Sequence, residues 1–197
     1  MINRRQVLIG GAAVASVGLK APAVMAQANN EVVVGVLFPM SGPSAQIGID
    51  GRSAVETAVE IANGAHDINL PTAKNAGLAG LNNAKIRLVF ADHQGDPQKG
   101  RAEAERLITQ DKVCAIVGAY HSSVSSTASI SCERYETPFV IPDSTSPNLT
   151  KRGLKYQFRT TPHDEMFSIA MFDFLDAQRK AGKDVKTVAV FHEDTIF

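Results

Sequence analysis

Apolar residues along the chain fall into blocks with two different rhythms. Residues 31–38 (EVVVGVLF) are almost continuously apolar and β-branched, as in a strand buried on both faces. Pro39 and Pro43 break the run, and the spacing then becomes helical. Ile49, Ala54, Val55, Ala58, Val59 and Ile61 fall near one face, and Asn63-Gly64 supplies a stop. Residues 65–84 hold Pro71, Gly77, Gly80 and four asparagines with little periodicity, which reads as a long surface loop with a short hairpin or turn. A second strand is expected at 85–90. Asp96 then serves as N-cap and Pro97 as first residue of a helix over 97–110, with Ala102, Ala104, Leu107 and Ile108 inward.

The same alternation continues to the end. Residues 113–117 form a short apolar run that Gly118 ends, and 123–136 read as a helix with a hydroxyl-rich start. Residues 138–141 form a fourth strand, 156–159 a short extended piece, and Asp164 caps a helix reaching Lys180. That helix carries Met166, Phe167, Ile169, Ala170, Phe172, Phe174 and Leu175 on a broad apolar face, and 186–191 read as a fifth strand. Strands separated by helices at these spacings predict an α/β fold, a doubly wound, mostly parallel sheet with right-handed crossovers. In such a sheet ligands sit beyond the carboxyl ends of the strands. Three polar turns fall at that edge: 40–44, 120–123 and 143–146.

The first residues follow neither rhythm. Adjacent Arg4 and Arg5, a modest apolar stretch over 7–19 and small-residue sites ending at Ala26 or Ala28 describe an export signal of twin-arginine character over residues 1–26. Cleavage there removes three of the 20 basic residues and none of the 20 acidic ones, leaving a slightly acidic exported chain. No polybasic run supports nucleic-acid or anionic-membrane binding. Cys114, placed in a buried strand, and Cys132, in the following helix, are expected as buried free thiols, with a bridge left open. The Cys and His spacings match no metal site. Asp92, His93 and Asp96 could be drawn as metal ligands, but helix capping already accounts for Asp96.

The chemistry at the ligand edge points to binding. Ser122 and Ser123 at a helix start can donate to a carboxylate alongside free backbone N–H groups, although Ser and Thr are also favoured there simply as caps. Thr145 adds a hydroxyl, and the carbonyls of Tyr120 and Asp143 can accept from an ammonium or amide. His121, Ser122 and Asp143 are also the residue types of a hydrolytic triad. Yet no nucleophile elbow surrounds Ser122, and adjacent side chains tend to diverge. Neither a dinucleotide turn nor a phosphate-binding loop is present, so no cofactor is expected.

These residues carry a resemblance. The segments VGVLFPMSGP (34–43), Asp96-Pro97, VGAYHSS (117–123), PDSTSPNLT (142–150) and FRTT (158–161) occur in the order and spacing of periplasmic solute-binding proteins of the branched-chain amino-acid type, which serve ABC importers. The resemblance implies a type I periplasmic binding fold: two α/β lobes closing over a small solute. Residues 31–160 would form the first lobe and 161–197 the start of the second, since family members run to about twice this length. It further implies a monomeric, non-enzymatic periplasmic protein that delivers its ligand to an inner-membrane permease. A sensor built on the same fold is the alternative, and a secreted hydrolase a more distant one. The ligand would meet Ser41, Gly42, Tyr120, His121, Ser122, Ser123, Asp143, Ser144 and Thr145. Two positions depart from the family pattern. Ile47 stands where several amino-acid binders place an aromatic residue, and Asp143 where a small one is common. A carboxylate aimed into the cleft would favour ammonium- or amide-bearing ligands over simple organic acids; turned away, it would cap the 147–151 turn.

Overall fold

The computed structural model of the chain describes residues 30–192, 194 and 196; the expected export signal lies outside them. Five strands form one parallel sheet: β1 (Glu31–Phe38), β2 (Lys85–Asp92), β3 (Ala115–Gly118), β4 (Phe139–Ile141) and β5 (Gln157–Arg159). Their order is β2-β1-β3-β4-β5, so the chain winds one way from β1 to β2 and the other way from β3 onward. The crevice between β1 and β3 is the point at which the winding direction changes, and there connections leave the sheet toward opposite faces.

Among the described residues there are four helices, of which α1 (Ala45–Asn63), α2 (Pro97–Thr109) and α3 (Ser122–Arg134) pack against the sheet and α4 (Asp164–Lys180) follows β5 with no buried residue. Alternate side chains of β1 sort the layers. Val33 and Leu37 join Ala104 and Leu107 of α2 and Val124, Ala128 and Cys132 of α3 in one buried cluster. The Phe38 ring projects from the other face and lies against Gly51 of α1. Helix α2 starts as its sequence predicts, the Asp96 carboxylate accepting from the N–H groups of Gln98 (2.7 Å) and Lys99 (2.9 Å). The Lys99 N–H first, and the Gln98 N–H after it, hold the Asp96 carboxyl below its ordinary range.

The inward face of α1 differs from the one read from its apolar spacing. Ile49, Ala54 and Ala58 are exposed, whereas Gly48 and Ala62 are buried and Gly51, Val55 and Val59 partly so. The reason is close approach: a Cβ on Gly48 would lie 2.1 Å from the Pro39 carbonyl oxygen, so the small residues mark the contact side. Ala102 of α2 is likewise exposed. The 65–84 connection contains two 3₁₀ turns, Pro71–Ala73 and Ala79–Leu81, pinned by an antiparallel bridge between Leu78 and Ala84.

The fifth strand is also not the one expected. Residues 157–159 fill that place, in register with β4, while 186–191 form no strand. An apolar run becomes a strand only beside a ladder partner, and Val190 and Phe191 remain 83% and 94% exposed. Helix α4 has the expected extent, but His163 rather than Asp164 occupies its N-cap, and its apolar face is largely bare. Cys114 lies just before β3 and is exposed; Cys132 is buried, its thiol pushed up to about 12 by burial; both are free.

Candidate functional site

Every strand sends its carboxyl end toward one open cleft of about 500 Å³. The lining is Ser44 from the β1–α1 loop, Gly95 from β2–α2, Tyr120, His121, Ser122 and Ser123 from β3–α3, Asp143 and Thr145 after β4, and Asp164 and Phe167 at the start of α4. Six of the nine sequence-derived candidates thus share one cavity: Tyr120, His121, Ser122, Ser123, Asp143 and Thr145.

The other three lie outside the lining, each for a physical reason. Ser41 donates its hydroxyl to the Asp92 carboxylate at 2.5 Å, and the other carboxylate oxygen accepts from the N–H groups of Met40 and Gln94, both at 2.9 Å. Burial pulls the Asp92 carboxyl up, but the Ser41 hydroxyl and these backbone donors together hold it below its ordinary range. Asp92 therefore locks the β1 and β2 loops together, with Gly42 in a left-handed turn (φ 81°) beside this knot. Ser144 is buried and belongs to a directed chain. The Ala119 N–H donates to the Ser125 hydroxyl (3.3 Å), which donates to Ser144 (2.6 Å), which donates to the Tyr120 carbonyl (2.8 Å). The direction follows because an N–H can only donate at one end and a carbonyl only accept at the other. The Tyr120 carbonyl, expected to be open for a ligand, thus already accepts one bond.

The β3–α3 corner is the best-defined wall. His121 is the N-cap of α3 and makes no side-chain capping bond; its Nε2 lies 3.2 Å from the Ser44 hydroxyl. The first backbone bond into the helix runs from the Ser125 N–H to the His121 carbonyl at 2.9 Å. The preceding N–H groups have no carbonyl within the helix to meet, which leaves a donor-rich, positively polarised end toward the cleft. Ser122 is only 2% exposed, and its hydroxyl accepts from the Ser146 N–H at 3.3 Å. Its proton is still available to donate. In the adjoining 143–146 loop the Thr145 hydroxyl oxygen is buried with no hydrogen-bond partner among the described residues. Such a group loses its water without a replacement unless a ligand supplies one.

Behind the wall, His93 is fully buried. Its Nε2 donates to the Ala119 carbonyl at 2.8 Å and its Nδ1 accepts from the Gly95 N–H at 3.0 Å. Only the neutral Nε2–H tautomer makes both bonds, so one side chain fixes the corner bearing Tyr120 and the turn bearing Gly95.

Ser44, Gly95, Asp164 and Phe167 were not among the sequence-derived candidates. The two from α4 gave the signals of a helix start and a core face. The bond of the Asp164 N–H to the Thr145 carbonyl (3.0 Å) ties the start of α4 to the 143–146 loop and so brings both into the cleft. Among the described residues no cluster of His, Cys, Asp and Glu is arranged to hold a metal ion, and no helix is long and apolar enough to cross a membrane.

Comparison with known proteins gives this arrangement its context. Residues 31–197 match the model of the periplasmic binding protein family. An amino acid binding protein of Pseudomonas aeruginosa is 34% identical over 163 residues, covering 83% of this chain and 39% of the relative. Leu/Ile/Val-binding protein homolog 3 of Brucella melitensis is 32% identical with the same coverage. The solved leucine-binding protein of Thermotoga maritima superposes with a TM-score of 0.61 at 26% identity, over 77% of this chain and 38% of its own. The chain thus spans about two-fifths of the length of the relatives it matches. Its five-stranded parallel sheet is that of the type I periplasmic binding proteins, and the chain belongs to the periplasmic binding protein family.

Proposed function

We propose that the protein is the exported, periplasmic solute-binding component of an ABC importer. It captures a small solute, an amino acid or a related amide or carboxylate, and passes it to an inner-membrane permease without chemical change. Residues 31–160 are the first lobe of the binding unit and 161–197 the opening of the second, with residues 1–26 acting as the export signal. The observation that carries the reading is that one cleft at the carboxyl edge of the sheet is lined both by the α3 N-terminus, which has no side-chain cap, and by Thr145, whose hydroxyl is buried and unmatched. The names of the amino-acid-binding relatives support the class of ligand. Binding is also favoured over hydrolysis by the local pairings. The His121 Nε2 faces the Ser44 hydroxyl, and the Ser122 hydroxyl is engaged by a backbone N–H. Ser122, the nucleophile of the hydrolytic alternative, is thus tied to the 143–146 loop, and the hydroxyl that faces the His121 ring is that of Ser44.

A thermal-shift screen of amino acids, amides and organic acids on the whole protein tests this, since a true ligand raises the melting temperature with concentration. With the ligand in hand, Thr145→Val keeps the side-chain shape and removes only the hydroxyl. Calorimetry should show affinity weakened by about 1–2 kcal/mol, with the ligand-free melting temperature nearly unchanged. Equal affinity in the variant would remove Thr145 from the site. Ser122→Ala is expected to weaken binding too, but also to lower ligand-free stability, because it leaves the Ser146 N–H without its acceptor.

A further inference from the structure

The polar character of the cleft is uneven. Its lining contains two carboxylates, Asp143 and Asp164, and neither lysine nor arginine among the described residues. Asp164 is accounted for by the fold. It is the first residue of α4, where a negative charge complements the helix dipole, and its N–H is bonded to the Thr145 carbonyl.

Asp143 has no such explanation. The 3₁₀ turn that it could cap, Pro147–Thr150, begins at Ser146 and has no side-chain cap. The residue is open to the cleft, yet the surrounding protein displaces enough water to raise its carboxyl above the ordinary range, and no described donor or cation offsets that burial. On the same lining stand the α3 N-terminus with Ser123 and the unmatched Thr145 hydroxyl. One part of the cleft offers donors to an acceptor group; another offers a lone carboxylate to a donor.

We infer that Asp143 is a specificity-determining residue, receiving a protonated amine or an amide N–H of the solute while the solute's carboxylate or carbonyl faces Ser123, Thr145 and the α3 N-terminus. The inference rests on the solute-binding reading above and narrows it. A plain carboxylic acid would bring a second negative charge toward Asp143 and supply nothing for it to accept, so the cleft selects against that class.

The test is a set of matched probes titrated into the whole protein by thermal shift and calorimetry: L-leucine with 4-methylpentanoate, L-phenylalanine with 3-phenylpropanoate, L-alanine with propanoate, acetamide with acetate, and 4-hydroxybenzoate alone. At least one nitrogen-bearing probe should bind more tightly than its nitrogen-free partner by about a factor of 10–100, the range for a charged hydrogen bond made or lost. In Asp143→Asn and Asp143→Ala that ratio should shrink at least about tenfold, with the ligand-free melting temperature serving as the control for folding. Binding of 4-hydroxybenzoate or another plain acid as tight as that of the nitrogen-bearing probes leaves the solute-binding reading standing and overturns the role of Asp143. So does a ratio unchanged in both variants. If no probe of either class binds, the solute-binding reading itself falls, and the role of Asp143 with it.

Discussion

Gly118→Ala should destabilise the protein by roughly 3–5 kcal/mol, a large effect for a single added methyl group. Gly118 ends β3 at φ 156°, in a region that L side chains rarely adopt. A Cβ there would also lie 2.2 Å from the Leu37 carbonyl oxygen and 3.2 Å from the Leu37 Cβ. Leu37 is the β1 partner of Gly118 in the parallel ladder and is fully buried, so neither strand has free space to yield. Relief requires the end of β3 to move away from β1, which is the crevice at which the sheet reverses its winding. The corner that follows bears Tyr120, His121, Ser122 and Ser123, so the same displacement opens the candidate binding wall. Gly80→Ala is the control: no heavy atom lies within 4 Å of its Cβ position, and its cost should stay within about 0.5 kcal/mol. Urea denaturation of the two variants checks both values. Equal midpoints would show that the β3 corner has slack that its geometry does not reveal.

How far the sequence discloses this architecture depends on the range of the interactions involved. The unbroken apolar run of β1, the Asp96 cap of α2 with Pro97 behind it, and the placing of three polar turns at one sheet edge are local patterns, and each is present in the structure. The contact side of α1 was illegible because it is made of glycines chosen for close approach, which an apolar-spacing rule ignores in favour of Ile49 and Ala58. Strand identity failed at 186–191 for a related reason: being a strand is a property of a pair, and β4 pairs with the less apolar Gln157–Arg159.

The site shows the same division. Sequence shows that Ser41, Ser122, Ser144 and Thr145 are hydroxyl donors near one edge. It does not show which hydroxyls are already engaged. Ser41 is tied to Asp92 across 51 positions and Ser144 to Tyr120 across 24, whereas Thr145 is left unmatched. Partners so far apart in sequence meet only after the sheet has formed, so the difference between a loop-tying hydroxyl and an unmatched one resides in tertiary structure. Asp164 and Phe167 make the same point from the other direction, since a helix start and an apolar face become cleft lining only through the position of α4.

His93→Leu should cost about 2–5 kcal/mol near neutral pH. The change leaves two buried backbone groups unmet, the Ala119 carbonyl and the Gly95 N–H, at about 1–3 kcal/mol each. The pH dependence identifies the cause. Burial, first, and the neighbouring His121 push the His93 pKa down; the Ala119 carbonyl and Asp92 pull it up; the net direction is below the ordinary 6.5. The folded state therefore holds His93 neutral where the unfolded chain, titrating near 6.5, begins to take up a proton. The contribution of His93 is full above about pH 6.5 and is lost as pH falls from there toward the lowered folded-state value. Protonation within the fold would place an Nδ1–H against the Gly95 N–H, two donors facing each other. His93→Leu lacks this titration while keeping every other ionisable group. The stability difference between wild type and variant, measured by urea denaturation at intervals from pH 7.5 to 5, should accordingly be largest at the upper end and narrow steadily below about pH 6.5. A difference that stays constant across that range would mean that His93 titrates alike in both states. In that case the neutral Nε2–H tautomer is not what holds the Ala119 corner and the Gly95 turn together.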